Sequence, residues 1–438
     1  MAYGGGEWVV PIQNKQLPGT YIAFSSKARP TNIFGERGFV ACGLNLGFGP
    51  ENELITVEPS DLQRDSLKLF GLQYTDEELL PLRELLAHAK TAYIYRLNGG
   101  GEKAKAIVEG LTITAKYSGE TANKFKVVIQ SNMDEEEKFD VIIYIDGLKA
   151  FNKEAVEKIE DLDNPYVDFS GQLQTTAGVT LEGGSNGTEK AQSHTDFLTK
   201  LEKKYINVVA YAGEDEEVKR MYKSFVERRV RLEGAYFQAC VHDFDANSEL
   251  VIDAYSKALN RENEGDTVYW VAGLEAGSEI NESAGNVIYD GELDIFTDYK
   301  QRDLVDSIKR GKLVFHEVNN EVRVLSDVNT FTDFSKLKNE DFSKNQIIRV
   351  LHQIGNDISV IFNKYYLDKV QNNELGRTML WNDIFSHAEK LEAMGAITDL
   401  EAEDIICELG DAKDSVYVEY QVNPVMAMAK LYMHVVVE

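Results

Sequence analysis

The last eight residues of the chain, Leu431–Glu438, alternate in the manner of a β-strand. Leu431, Met433, Val435 and Val437 occupy every second position, and β-branched side chains suit a pleated surface. A strand must pair its backbone N–H and C=O groups, and an unprotected edge strand is a template for another chain. This segment therefore limits the possible folds to those that give it a neighbouring strand, in its own chain or in another.

The start of the chain poses the same question. Met1–Gly6 is rich in glycine, and the apolar residues Trp8, Val9, Val10 and Ile12 then predict an extended run. A Pro-Gly pair at 18–19 is a turn signal that closes this arm. Two extended, apolar ends indicate a subunit built to join others.

A second C-terminal strand is predicted at Ser415–Val422, where Val416, Val418, Tyr420 and Val422 alternate. Asn423-Pro424 then breaks the chain before the terminal strand. We expect Ser415–Val422 to be the neighbour of the terminal strand, with an arm from another subunit completing the sheet.

Composition excludes several classes of protein. The chain has 438 residues, with 73 acidic against 46 basic side chains and a formal charge of −27. Such a charge repels nucleic acids and anionic membrane surfaces, so we expect neither as a partner. The chain contains no apolar run of 18 residues and no basic region followed by an apolar stretch, so neither a transmembrane helix nor a secretory signal is predicted. The cysteines, at positions 42, 240 and 407, lie far apart, which indicates neither a disulfide framework nor a metal site.

The middle of the chain divides into two regions with different predicted secondary structure. A mostly helical stretch over residues 60–90 precedes a region, 91–180, whose short strands separated by Gly and Asn predict a small antiparallel β-domain. Its predicted strands are Thr91–Leu97, Leu111–Tyr117, Phe125–Gln130 and Phe139–Asp146. Residues 181–334 instead alternate helices and strands, which predicts a largely parallel sheet covered by helices. The predicted elements there are the helices Ser193–Lys204, Glu214–Arg231 and Ser248–Asn260 and the strands Ile206–Ala212, Gly234–Val241 and Thr267–Val271.

The final region, 335–438, begins with the clearest helix of the chain. Apolar residues from Ile347 to Tyr365 step by three and four positions and form one stripe. A second predicted helix runs to Met394, where Gly395 is a suitable C-terminal cap. The predicted domain organisation is therefore an N-terminal arm (1–18), a segment that packs with the core domains (19–90), a β-domain (91–180), an α/β domain (181–334) and a C-terminal domain (335–438).

No motif commits the chain to catalysis or to a cofactor. Asn98–Lys103 resembles a phosphate loop but lacks the Walker order, so a hairpin loop is predicted. Gly183–Gly187 precedes a helix but lacks the GxGxxG order, and a flexible domain junction is the alternative. Asp243–Asn247 starts like a calcium loop without its later ligands. The lone histidines, at positions 194, 242 and 316, have no nucleophile elbow beside them and are expected to be structural.

Several segments, taken in order, resemble the tail sheath proteins of contractile phage tails and R-type bacteriocins. The segments that carry the resemblance are Leu17–Ile22, Tyr93–Gly101, Leu181–Gly187, Phe225–Arg228, Val271–Gly273, Gly311–Phe315, Val328–Thr330 and Lys364–Tyr366. The resemblance implies a multidomain α/β and α+β fold, with an antiparallel β-sandwich beside a subtilisin-like α/β domain that has no protease function. It also implies an α+β C-terminal domain with extended terminal arms.

The function implied by this resemblance is structural, with no enzyme activity. Subunits would polymerise helically around a tail tube and contract to drive the tube through a cell envelope, in a virion tail or bacteriocin particle assembled in the bacterial cytoplasm. The implied partners are further copies of the chain, the tube protein, and baseplate and terminator proteins. Two alternatives remain open at this point: a cytosolic α/β enzyme with an appended β-domain, and a non-contractile lattice or shell protein.

Overall fold

The structure is a computed structural model of the chain. It describes residues 35–135 and 137–437, together with the backbone of two residue pairs in a separate unit, Met1–Phe34. In that unit strand β1 (Gly5–Gly6) pairs in parallel with β2 (Thr20–Tyr21). The predicted strand residues Trp8, Val9, Val10 and Ile12 lie outside the described residues.

Residues 35–97 contain both strands and helices, and the helices correspond to the stretch that is predicted to be mostly helical. The elements are β3 (Phe39–Leu44), β4 (Leu54–Val57), α1 (Pro59–Phe70), a 3-10 turn (Glu77–Leu79), α2 (Leu80–Leu86) and β5 (Thr91–Arg96). Pro59 occupies the first position of α1, where its missing N–H costs nothing. Gly71 ends α1 in the left-handed conformation, with a φ of 67° that suits glycine.

Residues 105–180 form two antiparallel sheets, as predicted for the β-domain. The elements are β6 (Lys105–Val108), β7 (Leu111–Ala115), a 3-10 turn (Glu120–Lys124), β8 (Phe125–Ser131), β9 (Phe139–Ile145), β10 (Leu148–Val156), a 3-10 turn (Ile159–Asp161), β11 (Val167–Gly171) and β12 (Thr176–Thr180). The strand orders are β10-β9-β8-β12 and β11-β7-β6. Alternate side chains such as Val127, Ile129, Val141 and Ile143 are fully buried in the core of this sandwich.

The central region forms a mostly parallel sheet with helices on it. Its elements are α3 (Ala191–Leu201), β13 (Val208–Tyr211), α4 (Glu216–Glu233), β14 (Gln238–Val241), β15 (Val251–Ala254), a 3-10 turn (Glu264–Asp266), α5 (Thr267–Gly277), α6 (Gln301–Lys309), β16 (Lys312–Leu313), β17 (Phe315–Val318) and β18 (Glu321–Val324). The strand order is β16-β15-β14-β13-β3-β5-β4, and only β4 is antiparallel to its neighbour. The predicted strand Thr91–Leu97 therefore belongs to this sheet, as β5, and not to the sandwich.

Two predictions in this region are wrong. Ser248–Asn260 is not a helix, because Val251–Ala254 is a parallel strand between β14 and β16. Thr267–Val271 is not a strand but the first half of α5. Both segments are short and buried, and apolar residues on every side remove the periodicity that separates a helix from a strand.

The C-terminal region contains the two predicted helices and a hairpin. The elements are a 3-10 turn (Glu340–Ser343), α7 (Asn345–Ile361), a π turn (Phe362–Tyr366), α8 (Glu374–Ala393), a 3-10 turn (Ala402–Asp404), β19 (Ile405–Leu409) and β20 (Val416–Tyr420). Gly395 follows α8 with a φ of 73°, as expected of a cap. Among the described residues, no helix combines the length and apolar character that crossing a membrane requires.

Candidate inter-subunit docking site

The hairpin of β19 and β20 leaves one backbone edge without a partner strand. The residues Asp404 and Gln421 form one hydrogen-bonded pair, and Gly410 and Ser415 form another, with N–H to O distances of 2.8 and 3.0 Å. Hydrogen-bonded and non-bonded pairs alternate in an antiparallel ladder. The backbone N–H and C=O groups of Val416, Val418 and Tyr420 therefore point away from β19. In the described residues β20 has β19 as its ladder partner and no other strand.

The side chains of the same three residues face the helical layer. Val416, Val418 and Tyr420 are half-buried, whereas Tyr417 and Glu419 between them are exposed. The indole Nε1 of Trp381 on α8 donates to the carbonyl oxygen of Ile405 at 2.6 Å. This bond covers part of the outer edge of β19, so the open edge of the hairpin is that of β20. Val422 lies beyond β20 and is also half-buried.

The predicted terminal strand forms no ladder in the described part of the chain. The backbone N–H of Ala427 donates to the side chain of Gln346 at 3.1 Å, and beyond it the chain is exposed. The predicted strand residues are exposed by 86% (Leu431), 75% (Met433), 67% (Val435) and 90% (Val437). Within the described part of the chain the terminal segment therefore does not pair with Ser415–Val422, whose strand β20 has β19 on one edge and no strand on the other.

Sequence reasoning missed β19, although a signal was present. Ile405, Cys407 and Leu409 occupy every second position, with Ile406 and Glu408 between them, and Gly410–Ser415 supplies a turn. The alternation is weak because Ile406, which points to the opposite face, is also apolar and Cys407 is small. Only the pairing with β20 reveals the hairpin.

A buried ion-pair network fixes the C-terminal helices to the central region. Nη2 of Arg349 on α7 lies 2.5 Å from Oε2 of Glu275 on α5 and 3.6 Å from Asp327. Asn345 donates to the other Glu275 oxygen at 3.2 Å. All three charged side chains are almost fully buried, and burial raises the pKa of Glu275 to about 8. The network therefore anchors α7 to the central region.

The loops 98–101 and 183–187 pack against each other instead of forming a hairpin and a flexible junction. A Cβ on Gly101 would lie 1.9 Å from the carbonyl oxygen of Ser185, and one on Gly187 would lie 2.0 Å from that of Gly99. Gly187 N–H donates to the carbonyl oxygen of Asn98 at 3.0 Å. The first loop joins β5 in the central sheet to β6 in the sandwich. Glycine is needed at this domain junction because a side chain would prevent the two backbones from approaching closely.

The calcium-like loop binds a lysine. Nζ of Lys312 lies 2.7 Å from Asp243, 3.6 Å from Asp245 and 3.7 Å from Asp253. Among the described residues no group of three or more metal-ligating side chains is arranged to hold an ion. The loop carboxylates thus neutralise a buried cation at the carboxyl ends of β14 to β16.

One pH-dependent prediction arises here. Burial raises the pKa of Asp253 to about 7 from a model-peptide value near 4. A raised carboxyl pKa makes the folded state bind protons more tightly, so this residue's contribution to stability falls as pH rises from about 4 to 7. We expect Asp253→Asn to raise the melting temperature at pH 8, with the difference from wild type shrinking toward pH 4. Asp245→Asn, at an exposed carboxyl of the same cluster, is the control, and an equal gain from it would contradict the assignment.

The three histidines considered as general bases, His194, His242 and His316, occupy different surroundings. His194 is buried, with its ring nitrogens 3.1 Å from the Tyr222 hydroxyl and 2.8 Å from Glu189. His242 contacts the carbonyl oxygen of Ala254 at 2.8 Å, and burial lowers its pKa. His316 lies in β17, half-exposed. The structure brings no two of these histidines together.

Four family models match successive parts of the chain. The tail sheath protein Gp18 domain III N-terminal region matches residues 37–97, and the phage tail sheath protein beta-sandwich domain matches 98–186. The phage tail sheath protein central domain matches 187–330, and the phage tail sheath C-terminal domain matches 337–438. The parts of the chain that match the Gp18 domain III model and the central-domain model share one sheet, in which β13 pairs with β3 and β3 pairs with β5.

Similar proteins span the same length. A sheath tail protein from Desulfitobacterium hafniense is 33% identical, with 95% of this chain and 99% of that chain covered and a TM-score of 0.83. The phage-like element PBSX protein XkdK of Bacillus subtilis is 28% identical over 97% of both chains. The contracted helical sheath of the anti-feeding prophage shares the fold at 11% identity, covering 97% of this chain and 99% of that chain, with a TM-score of 0.56.

Proposed function

This chain belongs to the phage tail sheath protein family and is a structural subunit of a contractile sheath, and from that premise we propose that its subunits are joined by strands added to the open edge of β20. The observation that carries the proposal is the outward direction of the Val416, Val418 and Tyr420 backbone groups. An added strand would satisfy these groups and bury apolar side chains at the same time.

The two ends of the chain supply candidate strands. Residues 428–437 are exposed throughout and alternate apolar side chains, while Trp8–Ile12 forms a second apolar run. Each backbone hydrogen bond contributes only about 0.5–1.5 kcal/mol. Repetition of the joint in a lattice makes the loss of any one subunit improbable, because the others hold it in place.

We place this subunit in a helical homopolymer around a tail tube, in contact with baseplate and terminator proteins, in a virion or bacteriocin-like particle assembled in the bacterial host. A head-to-tail contact that does not close into a ring generates such a helix. Contraction would reorient subunits while the strand joints stay paired, because residues 425–430, which connect the body to the terminal segment, lie outside helices and strands.

We propose a purely structural role for the central domain, whose subtilisin-like character would be one of fold alone. His194 is held between Tyr222 and Glu189, and the Asp243 loop is held by Lys312. These side chains stabilise the core where an enzyme would need them free for substrate. A ligand-stabilised melting temperature in a monomeric chain would favour the enzyme alternative instead, and a single tube diameter under all conditions would favour a non-contractile lattice.

A proline at position 418 tests the strand joint. Val418→Pro removes an N–H that points away from β19, so the intrachain ladder keeps its hydrogen bonds while the open edge is blocked. We expect a folded monomer with a melting temperature within a few degrees of wild type and no tubes in electron micrographs. Val418→Ile, which keeps the N–H and the strand propensity, is the matched control and should form normal tubes.

Truncations identify the donated segment. Chains lacking 1–17 or 431–438 should remain folded, and at least one of them should fail to form tubes. Normal tubes from Val418→Pro and from both truncations together would overturn the strand joint.

A further inference from the structure

Two buried carboxyl groups share a single cation beneath α7. Nη2 of Arg349 lies 2.5 Å from Oε2 of Glu275 and 3.6 Å from Oδ2 of Asp327. The carboxyl groups of Glu275 and Asp327 also lie within hydrogen-bond distance of each other. None of these three side chains is exposed by more than 4%. The cluster therefore places two acids in contact with each other and with one base, away from water.

In the described part of the chain, the donors around this pair satisfy all but one of its carboxyl oxygen atoms. Oε2 of Glu275 accepts from Arg349, and Oε1 accepts from Nδ2 of Asn345 at 3.2 Å. Oδ2 of Asp327 accepts from the backbone N–H of Ala284 at 3.0 Å. Oδ1 of Asp327 is buried and has no donor among the described residues. Buried polar atoms in folded proteins are almost always paired, so this oxygen needs a donor.

A proton held between the two carboxyl groups supplies that donor. Two carboxylates in contact repel each other strongly, and a shared proton removes the repulsion and forms a hydrogen bond in its place. With the proton present, one negative charge faces the positive charge of Arg349, and the cluster is neutral. Without it, two negative charges face one positive charge in a region that water does not reach. Burial and the neighbouring Asp327 raise the pKa of Glu275 to about 8, although Arg349 lowers it, and two acids this close titrate as one unit.

The other charged groups near the pair do not replace the proton. Arg37, just before β3, donates to the backbone carbonyl oxygens of Glu275 and Ser278, each at 2.9 Å. The exposed carboxylate of Glu279 lies near this arginine and balances its charge. His352 on α7 stays neutral, because burial and Arg37 lower its pKa to about 3. Further titratable neighbours are the exposed carboxylate of Glu282 and the buried thiol of Cys240.

The pair lies where the C-terminal region meets the central region. Glu275 is on α5 and Asp327 follows β18, whereas Arg349 is on α7. A further contact of α7, from Nε2 of Gln346 to the carbonyl oxygen of Asn281 at 3.0 Å, joins neutral groups. The net charge buried between the two regions therefore changes with a single proton.

We propose that Glu275 and Asp327 share one proton and that this proton is a latch, which keeps α7 docked on the central region and frees the helix when it is lost. The inference is independent of the proposed strand joint, because it concerns contacts within one subunit and is tested on the unassembled chain. A carboxyl pKa that is raised on folding contributes stability that is fully present below about pH 4.5 and is lost as pH rises to about 8. Alkaline pH is thus the condition that opens the latch.

An isosteric amide reproduces the pair with its proton. In Asp327→Asn, the side-chain nitrogen can take the place of Oδ1 and donate to Glu275, while the oxygen still accepts from Ala284. The infrared difference spectrum of wild type minus Asp327→Asn at pH 7 should contain the carbonyl stretch of one protonated carboxyl group. Glu282→Gln, at an exposed carboxylate beside the cluster, is the matched control and should leave that band in place. Absence of the band from the difference between wild type and Asp327→Asn would overturn the shared proton.

Unfolding measurements count the same proton. Between pH 5.5 and 7, the unfolding equilibrium constant of wild type should rise relative to that of Asp327→Asn by about tenfold per pH unit, because wild type releases one more proton on unfolding. Urea unfolding followed by circular dichroism gives both constants. An equal pH dependence in the two chains would contradict the proposal.

Hydrogen exchange tests whether α7 is the element that the proton holds. At pH 9, the amides of α7 should exchange at least about tenfold faster in wild type than in Asp327→Asn, whereas at pH 6 the two chains should differ by less than about twofold. Each comparison is made at one pH, so the intrinsic exchange rates cancel. The amides of the sandwich strand β9 are the internal control and should exchange alike in both chains. If β9 exchanges faster by the same factor as α7, the proton stabilises the whole fold and the latch is wrong.

Discussion

Arg349→Ala is expected to destabilise the folded chain by about 3–5 kcal/mol, because it leaves two buried carboxylates without their cation. Arg349 is 2% exposed, and its guanidinium lies 2.5 Å from Glu275 and 3.6 Å from Asp327. Chemical denaturation followed by circular dichroism measures the loss. Arg64→Ala, which removes an exposed arginine 2.8 Å from Asp65, is the control and should leave the unfolding midpoint unchanged.

The effect of Arg349→Ala should also depend on pH. The arginine lowers the pKa of Glu275, which burial raises to about 8. Its removal raises that pKa further, so the folded state holds the proton more tightly and loses stability as pH rises above about 4.5, the model-peptide range of glutamate. The deficit should therefore be larger at pH 9 than at pH 5. Adding Glu275→Gln should restore part of the loss, and no restoration in the double variant would contradict a direct pair.

Trp270→Ala is expected to cost about 3–5 kcal/mol through the cavity that it leaves. Trp270 on α5 is fully buried, and its ring centroid lies 5.1 Å from that of Tyr289 and 5.5 Å from that of Phe315. Its Nε1 also donates to Asp290 at 2.9 Å, so the substitution removes a hydrogen bond as well as contacts.

The control for Trp270→Ala is a large apolar residue outside the core. Leu232 on α4 is 81% exposed, and Leu232→Ala should change the free energy of unfolding by less than about 0.5 kcal/mol. Urea unfolding curves of both variants give the comparison. A loss below 1 kcal/mol for Trp270→Ala would mean that α5 is not the tightly packed centre of the sheet.

Elements with one buried face could be predicted from the sequence. The sequence predicts α7 because the apolar stripe from Ile347 onward lies on one face of a helix whose opposite face is polar. It predicts the sandwich strands from the alternation of apolar and polar residues and from the glycine-containing turns between them. α5 was mistaken for a strand because ten of its eleven residues are buried, which erases the polar face that marks a helix. β15 was mistaken for a helix because four buried residues are too few to show a period.

The domain boundaries depended on contacts that sequence order hides. β5 follows a helical stretch and precedes a glycine loop, so the sequence predicts that it belongs with the strands after it. Its hydrogen bonds are instead to β3 and β4 in the central sheet. For the two glycine loops the sequence predicts a hairpin loop and a flexible domain junction, and only the structure shows that Gly101 lies against the Ser185 backbone.

The sequence by itself determined that the two ends of this chain are apolar, that the chain is strongly acidic, and that its segments follow the order of a tail sheath protein. These properties belong to short segments, to the overall composition or to the order of segments, so they can be read without knowing which residues are in contact. Only the tertiary structure decided that β19 is the partner of β20 and that the backbone groups of Val416, Val418 and Tyr420 are left facing outward. The reason is physical: hydrogen-bond direction along a strand is set by the register with its neighbour, and the register is a property of the pair.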